Sequence, residues 1–181
     1  MSAPMMTSAD KQKLSLLFGR RSIRVYSPGI IAEETVTLLL DAAMAAPSAM
    51  TKDPWRFVVV REQSSLRSLA EALPGGKMLG TATLAMVVCG DIDVAFERQL
   101  SFLLQDCSAA TENLLLAAHA LGLGACWVGV HPNEAAIRRL KEMLSLPLSF
   151  LPVAVVSLGL PGEELPPRSR FNPNHVRFEK W

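Results

Sequence analysis

The segment from Leu100 to Leu121 limits what this chain can fold into more than any other. Its small or apolar residues fall at Leu100, Leu103, Cys107, Ala110, Leu114, Ala117 and Leu121, alternating steps of three and four. That is the stripe of an α-helix packed along its whole length. A second stripe, Leu104, Ser108, Thr111, Leu115 and Ala118, is also small or apolar. A helix apolar on two faces needs cover on two faces. It is therefore the central helix of a layered domain, a subunit-interface helix, or both. Gly122 supplies its C-terminal stop.

Around this helix the pattern alternates between helix and strand. Lys11–Phe18 reads as a short helix. Glu33–Ala46 has apolar residues at Val36, Leu39, Leu40 and Ala43, with acids in its first turn, and Pro47 ends it. Trp55–Arg61 is β-branched and aromatic, hence a strand. Leu66–Leu73 is helical, and Thr83–Gly90 and Ala125–Val130 are buried strands. Asn133 caps a helix running through Leu144. Val153–Leu158 is the last strand, before a proline-rich tail. With no internal repeat, residues 1–181 are expected to form a single domain.

Half of the residues are hydrophobic and 19% are charged. Such an excess implies a large core, a buried subunit interface or a membrane span. The longest apolar stretches, Thr83–Cys89 and Leu151–Leu160, are too short to span a bilayer. Met1–Ala9 is small and polar, and Asp10, Lys11 and Lys13 stand where a signal peptide would turn apolar. The expectation is a soluble, cytoplasmic chain with apolar surface between subunits. A net charge of +1 gives no basic footprint for nucleic acid. Cys89, Cys107 and Cys126 are odd in number and form no C-x-x-C pair, which suits a reducing compartment and small core residues. His119, His131 and His175 have no ligand spacing, so no metal site is expected.

Three segments carry candidate chemistry. Arg20, Arg21, Ser22 and Arg24 put three guanidinium groups and a hydroxyl within five residues. Arginine presents a rigid fork of donors matched to phosphate oxygens. Read alone, so short a basic run is more often plain surface. Ala46–Trp55 is a turn-rich connection whose small residues let backbone approach a flat ligand. Gly122–Gly129 closes a helix and enters a strand, the reverse of a dinucleotide-binding glycine pattern. There, Gly129 would let its N–H approach a ligand.

Together these pieces resemble the FMN-dependent nitroreductase family, from about Phe18 to Trp181. The resemblance rests on RRSIRVY, LLLDAAMAAPSAMTKDPWRFVVV, DCSAATENLLLAAHALGLGACWVGV and RFNPNHVRFEKW, in the family's order and spacing. It implies an α+β fold, with a mainly antiparallel sheet flanked by helices and the long helix in a homodimer interface. Two FMN sites would be built from both chains. Arg20, Arg21, Ser22 and Arg170 would hold the phosphate and ribityl chain, with Arg24 near the pyrimidine edge. Pro47, Ser48 and Ala49, with Met50 and Thr51, would line the ring from the other subunit. Trp127, Val128 and Gly129 would complete the wall, the Gly129 N–H near flavin N5. Lys77 would reach the N1–O2 edge.

The implied activity is ping-pong transfer of hydride from NAD(P)H through FMN to a nitro compound, a quinone or a similar small acceptor. No protein side chain is expected to act as nucleophile or acid; positioning and electrostatics around the cofactor do the work. The sequence departs from the family at Thr51 and Asp53, where many relatives carry Asn and Gln. That keeps open a non-enzymatic dimer binding flavin or another planar ligand, or a different flavin reaction on the same scaffold.

Overall fold

The structure is a computed structural model that describes residues 12–181. Met1–Ala9, and Lys11 at the start of the expected first helix, lie outside the described residues.

The helices are α1 (Ser15–Gly19), α2 (Glu33–Met44), α3 (Gln63–Ala72), α4 (Leu100–Ala120) and α5 (Glu134–Met143). The strands are β1 (Tyr26–Ser27), β2 (Trp55–Val60), β3 (Leu84–Asp91), β4 (Gly124–Gly129) and β5 (Phe150–Pro161). Every ladder between them is antiparallel. β3 and β4 both pair with the Ala154–Leu158 stretch of β5, so they lie on its opposite edges. β2 adds to the far side of β3, and β1 pairs with the last two residues of β5.

All eight residues of β3 are buried, because helices cover both faces of the sheet. Side chains alternate across a strand. Val87 and Cys89 pack with Leu66 and Leu69 of α3 and Leu140 of α5. Leu84 and Met86 pack with Val36 and Leu39 of α2 and Leu114 and Ala118 of α4. α4 presses so closely on the sheet that a Cβ at Gly90 would fall 2.4 Å from Leu103 Cγ. Asn133 caps α5 as its sequence position suggests, its side chain accepting from the Ala136 N–H at 3.1 Å.

Most boundaries differ from the sequence reading by a residue or more, and three of the differences are larger or structurally informative. α2 stops at Met44 rather than Ala46, and α3 begins at Gln63 rather than Leu66. β5 is twelve residues long and passes straight through Pro152. A proline has no N–H to give a ladder, and this one sits at a bulge. Val88 pairs with Ala154 and Cys89 with Pro152, skipping Val153.

Both apolar stripes of α4 are only partly covered. Leu103, Cys107, Ala110, Thr111, Leu114, Leu115 and Ala118 are buried, whereas Leu100 and Leu121 are 43% and 45% exposed. Among the described residues, no helix is long and apolar enough to cross a membrane.

Candidate functional site

The basic segment is laid along the start of β4. Ser22 bridges Ala125, and the Ile23 N–H donates to the Ala125 carbonyl at 3.0 Å. The fit requires Gly124, where a Cβ would fall 2.8 Å from Ile23 Cγ2. From the other side, β5 ends and turns onto the same segment. The Gly162 N–H donates to the Val25 carbonyl at 2.8 Å. Glu163 Oε1 accepts from the Arg24 N–H at 2.6 Å and the Val25 N–H at 3.1 Å. The tail then crosses back: the Arg168 N–H donates to the Phe18 carbonyl at 3.1 Å, and Arg21 Nη1 donates to the Pro166 carbonyl.

These contacts gather Arg20, Arg21, Ser22, Arg24 and Arg170 around one cavity of about 500 Å³. Arg168 joins them, which the sequence reading missed. The available signal was the doublet Arg168-Ser169-Arg170, ambiguous in a tail of unknown path. Arg20 is ion-paired with Glu112 of α4 at 3.5 Å. Five guanidinium groups and a hydroxyl around one cavity form a donor set for a multiply charged oxyanion such as a phosphate monoester.

The connection after α2 is a second, separate feature. Pro47 and Ser48 lead into a 3₁₀ turn, Ala49–Thr51. Met50, Thr51 and Asp53 take φ of 51°, 53° and 48°. Left-handed backbone costs a residue with a Cβ roughly 1–2 kcal/mol each time, so this loop must be held. Ser48 Oγ donates to Asp53 Oδ1 at 2.5 Å and accepts from the Asp53 N–H at 3.0 Å. The Asp53 carboxylate is thus engaged within its own loop. The Ala49 N–H donates to Oδ1 of Asp106, a buried residue of α4, at 2.9 Å.

The remaining expected residues stand elsewhere in the chain. Trp127 is half-buried on the α2–α4 side, and Val128 is buried on the α3–α5 side. Gly129 is exposed, and a Cβ there would meet no atom within 4 Å, so its backbone lies open to a ligand. It lies four strand steps from Ala125, where Ser22 docks, roughly 13 Å at the usual rise. Lys77 begins a 3₁₀ turn and lines a different cavity, with Leu73, Pro74 and Gly75. A single chain therefore assembles the basic cavity but leaves the 47–51 loop and Lys77 apart from it.

No thiol offers a nucleophile. Burial pushes Cys89 and Cys107 up to about 12 and raises Cys126 as well.

The family described as "Nitroreductase family" matches residues 17–76 and 69–160. A protein of Archaeoglobus fulgidus named "Putative NADH dehydrogenase/NAD(P)H nitroreductase" is 44% identical, over 93% of this chain and 98% of its own. A crystal structure of a protein of the same name from Parabacteroides distasonis superposes with a TM-score of 0.88 at 35% identity, covering 94% of this chain and 99% of the other. An FMN-dependent nitroreductase from Clostridium difficile gives a TM-score of 0.86 at 29% identity, covering 93% and 99%.

Proposed function

The chain belongs to the nitroreductase family, and from that premise we propose that it transfers hydride from NAD(P)H to a nitro compound, a quinone or a similar small acceptor by a ping-pong cycle. It is an NAD(P)H-dependent flavin oxidoreductase whose cofactor is FMN. The observation that carries this assignment is the arginine cavity, whose donor set suits the one phosphate of FMN.

Arg20, Arg21, Ser22, Arg168 and Arg170 would hold the phosphate end, with Arg24 toward the pyrimidine edge. FMN, when bound, would supply the redox chemistry. The chain supplies position and charge. The open backbone at Gly129 presents an N–H to the ring. Pro47, Ser48, Ala49, Met50 and Thr51, from a second copy, line its face together with the backbone of Trp127 and Val128. Lys77 contributes positive charge at the N1–O2 edge, which favours electron uptake.

The protein acts as a homodimer in the cytoplasm. Exposed apolar surface supports the dimer: Phe171, Phe178 and Trp181 in the tail are 78%, 88% and 86% exposed, and Leu100 and Leu121 at the two ends of α4 are uncovered as well.

Initial-rate kinetics test the cycle. With NADH or NADPH varied against a quinone or nitroarene, the proposal requires parallel double-reciprocal lines. Lines that intersect would mean both substrates bind together.

A further inference from the structure

Asp106 is a carboxylate on the inner side of α4, 4% exposed, with Leu103, Cys107 and Ala110 buried around it on the same helix. One oxygen accepts from the Ala49 N–H at 2.9 Å. The other, Oδ2, is buried and has no hydrogen-bond partner among the described residues. An unmatched buried carboxylate oxygen is costly, and a leucine here would extend the apolar stripe without that cost. The contribution of Asp106 is therefore to be sought in what Oδ1 holds. Ala49 opens the turn that places Met50, Thr51 and Asp53 in left-handed conformation, with Met50 72% exposed at the tip. Ser48 and Asp53 close this loop on itself, but among the described residues only the Asp106 side chain fastens it to a helix.

We infer that Asp106 is a positioning residue: its buried carboxylate anchors the 48–53 loop and so sets how that loop meets the flavin ring. The inference rests on the proposal that this loop lines the FMN site. It implies that the ring-facing wall is fixed by α4, the helix whose partly uncovered surface is assigned to the dimer. The loop would then come to the site already shaped, and FMN would not have to order it.

Two variants remove the contact from opposite sides. Asp106→Ala takes away the acceptor. Ala49→Pro takes away the N–H, at a first helical position that tolerates proline. Ser48, with φ −133° and ψ 157°, already has the extended backbone that precedes a proline. Asp106→Asn keeps an acceptor oxygen and serves as the conservative control.

Two readouts separate this inference from the FMN assignment. In flavin-free protein, trypsin should cut after the exposed Lys52 about tenfold faster in Asp106→Ala than in wild type, and at a near wild-type rate in Asp106→Asn. In the holoenzyme, Asp106→Ala and Ala49→Pro should each alter the visible spectrum of bound FMN and weaken its affinity about tenfold, the weight of one charge-assisted hydrogen bond. The double variant should be no worse than Ala49→Pro alone, because both changes remove one interaction. Additive losses in the double variant would overturn the inference, as would faster cleavage with unchanged FMN spectrum and affinity. Should Asp106→Ala fail to fold, Ala49→Pro with an unaltered FMN spectrum and affinity overturns it on its own. A wild-type protein that binds no FMN would defeat the parent assignment while leaving the cleavage result to stand.

Discussion

The carboxylate of Glu163 accepts a hydrogen bond from the backbone N–H of Arg24 at 2.6 Å, tying the end of the central strand to the segment that carries three of the cavity's arginines. The same oxygen takes the Val25 N–H. A negative charge thus stands at the rim of a positive cavity and holds it in shape. Glu163→Ala should loosen the segment and weaken FMN binding about tenfold, a charged hydrogen bond discounted for partial exposure. Glu163→Gln, which keeps an acceptor and removes the charge, should bind at least as tightly as wild type. Fluorescence titration reads both. Tighter binding by Glu163→Ala would show that the carboxylate acts as a competing charge rather than a tie.

Arg21 and Arg170 reach the same cavity from segments about 150 residues apart in sequence. Each charge-assisted phosphate contact contributes roughly 1.5–3 kcal/mol, so replacing both with Ala should weaken FMN binding by two or more orders of magnitude. The fold should survive, since both side chains lie at the surface of the cavity. Equilibrium dialysis of the double variant checks this, and unchanged affinity would remove the cavity from the FMN site.

Lys77 lines a different cavity from the arginines, so its proposed role at the flavin is tested separately. Lys77→Met should lower the FMN reduction potential while changing affinity less, because a cation near N1 favours the electron-rich state. For a two-electron couple, about 1.4 kcal/mol corresponds to about 30 mV. Asp53→Asn should move the potential little, as its carboxylate is engaged by Ser48. Spectroelectrochemical titration separates the two. An unchanged potential in Lys77→Met would place that side chain away from the ring.

Burial raises the Cys89 and Cys107 thiols to about 12, whereas an unfolded chain loses these protons near pH 8.5. The stabilisation from keeping them neutral is fully present below the unfolded value and is lost as pH rises through about 12. Denaturant midpoints should therefore fall on the alkaline side, and less steeply in Cys89→Ala. Iodoacetamide should leave native Cys89 and Cys107 unmodified at pH near 8.

Much of the fold was legible because it rests on local periodicity. The three-and-four steps of α4 and the β-branched run of β2 each specify an element without knowledge of its neighbours. The proline inside β5 concealed that strand's true length, since its placement at a bulge depends on pairing with Val88 and Cys89 of another strand. Arg20, Arg21, Ser22 and Arg24 were legible as a cluster in sequence. Arg168, which lines the cavity, and Glu163, which ties its basic segment, were not, because each reaches its place only once the chain after β5 crosses back over Phe18 and Arg24. Asp106 fell outside both apolar stripes of α4. An acid beside the apolar residues Leu103, Cys107 and Ala110 was a signal, but its partner, a backbone N–H 57 residues away, was beyond any local pattern.

The central claim is that this chain carries FMN and cycles it with a nicotinamide. Anaerobic absorbance of the purified, FMN-saturated protein during stepwise addition of NADH or NADPH tests it most directly. The account predicts flavin bands in proportion of one FMN per chain, bleached by one equivalent of reductant and restored by a quinone or nitroarene in the absence of oxygen. Protein that takes up no FMN, or whose bound FMN stays oxidised with both nicotinamides, would contradict it.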